Sequence, residues 1–181
     1  MASWAHFARR IRVPSGFVFA ALYLWFASPA WRSMAVGAAL VIPGLLIRAL
    51  ASGHVQKNEQ LGTTGPYAYT RNPLYLGSLV LALGFTVAAR SWWIGAMLIA
   101  MLFAIYLPVI RSEEAFLRRR FPEFDEYAHH VPRLLPRLRA FRKNGGSFSW
   151  QLYWKHREYN AALGALAMMV ALGMKLLWVA R

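Results

Sequence analysis

Five apolar runs, at residues 14–31, 34–52, 73–89, 92–110 and 159–179, dominate this chain. An α-helix rises about 1.5 Å per residue, so crossing a hydrocarbon core of about 30 Å takes roughly 20 apolar residues. Inside a bilayer each backbone amide and carbonyl must find its partner within the segment, which restricts runs of this kind to helices. With 58% of 181 residues hydrophobic, little chain is left for a second, soluble domain. The expected fold is all-α: a polytopic membrane protein with five transmembrane helices, forming a single domain over residues 1–181. Arg9, Arg10 and Arg12 ahead of an apolar stretch ending in Ala27-Ser28-Pro29-Ala30 also have the order of a cleaved leader. A retained first span is the preferred expectation.

The net charge of +14 is distributed by location. Arg9, Arg10 and Arg12 precede the first run, Arg48, Lys57 and Arg71 flank the second connection, and residues 111–157 are rich in both basic types. Only Arg32 and Arg90 mark the other two short loops. Positive charge collects on the cytoplasmic side of membrane proteins, so the N-terminus is expected in the cytoplasm and the C-terminus outside, in a bacterial-type plasma membrane. The same distribution argues against nucleic acid, because the charges flank apolar runs and no soluble scaffold carries them. Zero cysteines exclude disulfides, thiolate metal sites and a cysteine nucleophile.

Arg90-Ser91 joins the third and fourth runs, predicting a tight helical hairpin with Trp92 and Trp93 at the interface. Pro43-Gly44 and Pro108 are expected to kink their spans. The segment SFSWQLYWKHREYN mixes aromatic and basic residues, predicting an interfacial helix over 147–158 before the last span, 159–179.

Two polar stretches meet the membrane on the same side. In the first, GPYAYTRNPLYLG at 65–77, Gly65-Pro66 signals a turn, and Asn72-Pro73 makes Asn72 extended before Pro73 opens a helix. Amides of that helix's first turn, with Arg71 beside them, can receive a carboxylate. Tyr67, Tyr69 and Tyr75 offer rings to an adenine or a cation. The competing reading is an interfacial aromatic belt with a snorkelling arginine. In the second stretch, residues 111–136, Arg111, Glu114 and Arg118 share one helix face while Glu113 points elsewhere, so one glutamate can be structural and the other a ligand. A solvated, salt-bridged helix end is the alternative. His129-His130 diverge on a helix, and His54 and Glu59 add no ligand spacing, so no metal site is expected. Phosphate-loop, serine-nucleophile and dinucleotide motifs are missing.

GPYAYTRNPLYLG at 65–77, a helical hairpin, and EEAFLRRRFPEFDEYAHHVPRLLP at 113–136 with its VPR-x-x-P ending together resemble the isoprenylcysteine carboxyl methyltransferase family, including its phospholipid methyltransferase-like members. The resemblance covers residues 54–136. It implies an integral membrane enzyme that takes a methyl group from S-adenosylmethionine, bound in cytoplasmic segments, to a lipid or small amphiphile entering from the bilayer. It assigns Gln60, Leu61, Tyr67, Asn72, Pro73, Leu74, Tyr75 and Glu113 to the cofactor, beside Arg71. As catalytic groups Arg111, Glu114 and Tyr75 are the candidates, Arg111 to hold a carboxylate and the other two, or Glu113, to accept a proton.

Two departures from the family pattern bear on the acceptor. Asn72 stands where many members carry histidine, which keeps a hydrogen-bonding group and loses a base. Val109 stands where prenylcysteine-methylating members commonly carry arginine, so a carboxylate acceptor loses its obvious partner unless Arg111 supplies it. A membrane reductase using a nicotinamide cofactor is the second reading, since sterol reductases resemble this superfamily. A non-enzymatic scaffold or transporter is the third, and it would want polar residues deep within the spans.

Overall fold

A computed structural model describes residues 18, 20–55, 60–141 and 146–179. Arg9, Arg10, Arg12 and the start of the first run, Lys57 and Glu59 lie outside the described residues. Within them, residues 20–26 are helical, followed by α1 (Trp31–Ser52), a 3-10 turn (Gly65–Ala68), α2 (Pro73–Ala89), α3 (Trp92–Arg120), α4 (Phe124–His130), α5 (Trp150–Lys155) and α6 (Tyr159–Val179). No strand occurs among the described residues. The protein is all-helical. Among the described residues three helices, α1, α3 and α6, are long and apolar enough to cross a membrane, and α2 is a shorter apolar helix of 17 residues.

Local chemistry accounts for most boundaries. Pro73 opens α2, where its missing amide costs nothing. Arg90, with φ of 52°, makes the left-handed turn between α2 and α3, and Trp92 and Trp93 stack with ring centroids 3.7 Å apart. The fourth apolar run ends at residue 110, and α3 continues beyond it to Arg120, carrying Arg111, Glu114 and Arg118 on the helix as expected. The added residues are good helix formers, and the first breaker is Pro122, which restricts Phe121. Just before Pro108, residues Leu102–Tyr106 form a π-helical turn, and that wider turn relieves the crowding of the proline ring on the carbonyl four residues back. Helix α1 runs unbroken through Pro43. The interfacial segment is helical only over Trp150–Lys155, where the Ser149 hydroxyl caps the Leu152 amide, and Arg157 at φ 52° breaks the path into α6.

The chain divides into two compact units: Met1–Val41, Ala82–Ala115 and Ala165–Arg181, and Ile42–Leu81 with Phe116–Gly164. In the first, Tyr23, Ala27, Ala88, Ala89, Ile94 and Leu172 form a buried core. Tyr23 donates to the Phe85 carbonyl at 2.8 Å, and the Lys175 ammonium caps the carbonyls of Leu24 and Trp25 at 2.6 and 3.0 Å. α1 and α2 touch backbone to backbone here: a Cβ added to Gly37 would lie 2.6 Å from the Gly84 carbonyl oxygen. Close backbone approach through small residues is how membrane helices associate, because lipid supplies no hydrophobic drive between them.

The second unit repeats this device with Gly44 and Gly77. A Cβ on Gly44 would lie 2.9 Å from the Gly77 oxygen. Its apolar core is Phe121, Phe124, Tyr127 and Val131, with Leu61, Leu117 and Phe141 packed against it.

Candidate functional site

Within the second unit, the first polar stretch and the far end of the second are laced together by hydrogen bonds. The Arg71 amide donates to the Pro132 carbonyl at 2.9 Å, the Arg137 amide to Tyr69 at 2.9 Å, and the Phe141 amide to Ala68 at 2.9 Å. Side chains close the remaining gaps. Buried Thr70 shares its single hydroxyl proton between the carbonyls of Arg133 and Leu134, at 3.2 and 3.1 Å. Asn72 Nδ2 donates to the Arg133 carbonyl at 3.0 Å, and an Arg71 guanidinium nitrogen to the Ala128 carbonyl at 2.7 Å. The buried Tyr127 hydroxyl donates to the Tyr67 carbonyl at 2.7 Å.

This lacing follows from prolines. Pro66, Pro73, Pro132 and Pro136 keep both segments out of regular helix, leaving backbone groups that must be paired once buried. Gly65, at φ of 56°, sets the turn, and the His54 ring occupies the place a side chain there would take, within 2.4 Å of an added Cβ. Only glycine meets both conditions.

The residues expected to hold the cofactor lie in the second unit apart from Glu113, with Tyr67, Arg71, Asn72 and Pro73 in the laced segment itself. Tyr67 is buried, with Gly62 at ordinary contact distance from its ring (3.6 Å to an added Cβ), so the Gln60-Leu61-Gly62 segment passes the tyrosine. Gln60 is exposed, and Leu61 packs on the aromatic core. Asn72 accepts the Leu76 amide at 3.0 Å, which makes it the residue that opens α2. Pro73 is buried, while Leu74 and Tyr75 are half-buried. Arg71 spends part of its five-donor fork on the Ala128 carbonyl, so it holds the two stretches together as well as carrying charge.

The first unit contains Arg111, Glu113 and Glu114, on α3. Glu114 is buried, and Arg111 and Glu113 are exposed. Arg118 Nε meets Asp125 Oδ1 at 2.6 Å, and its guanidinium carbon sits 5.5 Å from the centre of the Phe124 ring. Val109 is 1% exposed, so an arginine substituted there would enter a packed position. An open groove of about 560 Å³, lined by Trp31, Arg32, Ser33, Val36, Val87 and Arg90, also lies in the first unit and includes none of the expected site residues. Among the described residues no group of three or more His, Cys, Asp or Glu side chains gathers as a metal site.

The sequence reading missed the positions that do the joining. Thr70, Tyr127 and Phe141 make the lacing, and their partners are carbonyls 60 to 73 positions away, which no short-range pattern announces. It also placed Arg48 as a loop-flanking charge. In the structure Arg48 Nε pairs with Glu158 Oε1 at 2.6 Å, Glu158 being 9% exposed.

Within the second unit, a proline-opened helix start, the Arg71 guanidinium and the rings of Tyr67 and Tyr75 are groups of the kinds that a carboxylate and an adenine call for.

The Phospholipid methyltransferase family matches residues 46–123. The chain is 39% identical over 122 residues to the nickel-cobalt-cadmium resistance protein NccN of Alcaligenes xylosoxydans xylosoxydans, covering 62% of this chain and 57% of that relative. It is 36% identical over 161 residues to the cobalt-zinc-cadmium resistance protein CzcN of Cupriavidus metallidurans, covering 83% of this chain and 72% of the relative. No solved structure matches. The match to residues 46–123 takes in the whole first stretch and the double glutamate, and with the similarity running along most of CzcN it makes this chain a member of the phospholipid methyltransferase family, within the isoprenylcysteine carboxyl methyltransferase-like group of membrane methyltransferases.

Proposed function

We propose that this protein transfers a methyl group from S-adenosylmethionine to a neutral or amine-bearing amphiphile of the membrane in which it sits, residues 1–181 acting as one domain. The observation that supports this best is the lacing of residues 65–73 to residues 127–141, which gathers most of the expected cofactor residues into one unit. When bound, the cofactor supplies a methyl on a sulfonium: the S–C bond breaks as a bond to the acceptor heteroatom forms, and a neutral thioether leaves.

The protein's part is alignment and exclusion of water. The rigid turn at 65–73 presents Tyr67 and the start of α2, and Gln60, Leu61, Tyr67, Arg71, Asn72, Pro73, Leu74 and Tyr75 are the proposed cofactor contacts. Glu113 joins them on the strength of the sequence resemblance. An amine attacks only as the free base, so its proton must leave, and Glu114 or Tyr75 are the proposed acceptors. Arg111 is the proposed clamp should the acceptor carry a carboxylate.

The acceptor's chemistry connects with the relatives' names. Primary amines and carboxylates at a membrane surface bind divalent cations, and N- or O-methylation weakens or removes such ligands. Methylation of one of these groups is our reading of how a member of this family would serve metal resistance. The test is methyl transfer from labelled cofactor to phosphatidylethanolamine, a prenylcysteine analogue and total bacterial-type lipid, resolved by chromatography. Label in an amine lipid supports the reading; label confined to the prenylcysteine analogue and lost in Arg111→Ala overturns the choice of acceptor.

A further inference from the structure

Arg48 stands within α1, four residues after Gly44, in a stretch where every neighbour is apolar or small. A guanidinium at such a place is costly unless it is fully partnered. Its partners form a directed chain inside the second unit. Nε donates to Glu158 Oε1 at 2.6 Å, and Nη1 donates to the Ser78 hydroxyl. Arginine cannot accept, so that hydroxyl must spend its own proton elsewhere, and it donates to the Leu74 carbonyl at 2.8 Å. The stem of Arg48 reaches this position because Gly77 leaves the space: a Cβ there would lie 2.7 Å from Arg48 Cγ. The segment that supplies Glu158 is braced independently, His156 Nδ1 lying 3.0 Å from the Ser52 carbonyl and the Ser149 amide donating to Gly53 at 2.9 Å.

We propose that Glu158 and Arg48 are positioning residues for methyl transfer, holding the first turn of α2 in its cofactor-binding conformation through Ser78 and the Leu74 carbonyl. This rests on the reading that Leu74 and Tyr75 contact the cofactor. It gives the segment before α6 a task at the site: Glu158 orients Arg48, Arg48 fixes the direction of the Ser78 hydroxyl, and that hydroxyl anchors the turn whose amides meet the ligand. Neither charged residue touches substrate.

The test pairs two readouts on full-length protein in detergent. Amide exchange over residues 74–78 without cofactor reports the network; S-adenosylhomocysteine affinity and steady-state kinetics report the site. In Ser78→Ala and Glu158→Gln, exchange of the 74–78 turn is expected to accelerate and the KM for S-adenosylmethionine to rise about tenfold, with the acceptor KM within twofold of the parent. The charge swap Arg48→Glu with Glu158→Arg is expected to recover part of the loss relative to either single change. Parent-like cofactor KM and exchange in Ser78→Ala, the variant least able to disturb folding, would overturn the proposal. Accelerated exchange in a protein whose parent binds no adenosyl compound would instead refute the methyltransferase reading while leaving the network standing. A rise in both KM values together would assign the residues a merely structural role.

Discussion

Replacing Thr70 by valine keeps its shape and removes one hydroxyl. Thr70 is 2% exposed and its proton is shared by the carbonyls of Arg133 and Leu134, while its oxygen accepts the Asn72 amide at 3.4 Å. Arg133 keeps a second donor, Asn72 Nδ2, so the loss falls chiefly on the Leu134 carbonyl and the Asn72 amide. A buried polar group left without its partner costs about 1–3 kcal/mol. The bonds here are long or shared, which argues for the middle of that range, about 2 kcal/mol, or roughly a 30-fold rise in the opening equilibrium of the laced region. The Arg71, Arg137 and Phe141 amides are the reporters, because all three donate across the lacing. Hydrogen–deuterium exchange read by mass spectrometry should show those amides exchanging roughly 30-fold faster in Thr70→Val, with Thr70→Ser near the parent and α6 unaffected. Unchanged exchange at 127–141 would refute the view that these hydrogen bonds hold the two stretches together. Equal acceleration everywhere would show only global destabilisation.

Other expectations follow from single contacts. Glu113→Gln should weaken cofactor binding by about 1.5–3 kcal/mol, the range for a hydrogen bond to a charged group, while buried Glu114→Gln should lower thermal stability more than affinity; calorimetry and thermal unfolding separate them, and small equal effects would return both to a solvated helix end. Gly84→Leu should reduce the yield of folded protein sharply, because even a Cβ there lies 2.8 Å from the Gly37 carbonyl oxygen; parent-like size-exclusion behaviour and melting would contradict the backbone contact. Reporter fusions at Gly145 and Arg181 should fall on opposite sides of the membrane, and the same side for both would remove α6 as a span.

The limits of α2 and α6 were legible because punctuation is local: Asn72-Pro73 and Arg90-Ser91 state where α2 starts and stops, and α6 begins where polarity ends. The apolar run ends ten residues before α3 does, since hydropathy reports the membrane boundary, whereas the helix stops only at a backbone obstacle, Pro122. Glycines 37, 44, 77 and 84 are visible in sequence, but which of them face each other depends on helix register. Residues 65–77 announced a committed backbone shape, while the partners that hold it, among them the carbonyls of Ala128, Pro132, Arg133 and Leu134, are long-range and chemically anonymous. Arg48 shows the same limit from the other side: its charge suggested a loop, and only the position of Glu158 explains how a helix interior accepts it.

Isothermal titration of the detergent-solubilised protein with S-adenosylmethionine and S-adenosylhomocysteine, beside reduced nicotinamide dinucleotides, tests the central claim most directly. The account predicts saturable binding of both adenosyl compounds, with a dissociation constant between about 1 μM and 1 mM in line with typical enzyme affinities, and none of the nicotinamides. Saturable binding of a reduced nicotinamide with no response to either adenosyl compound would contradict it.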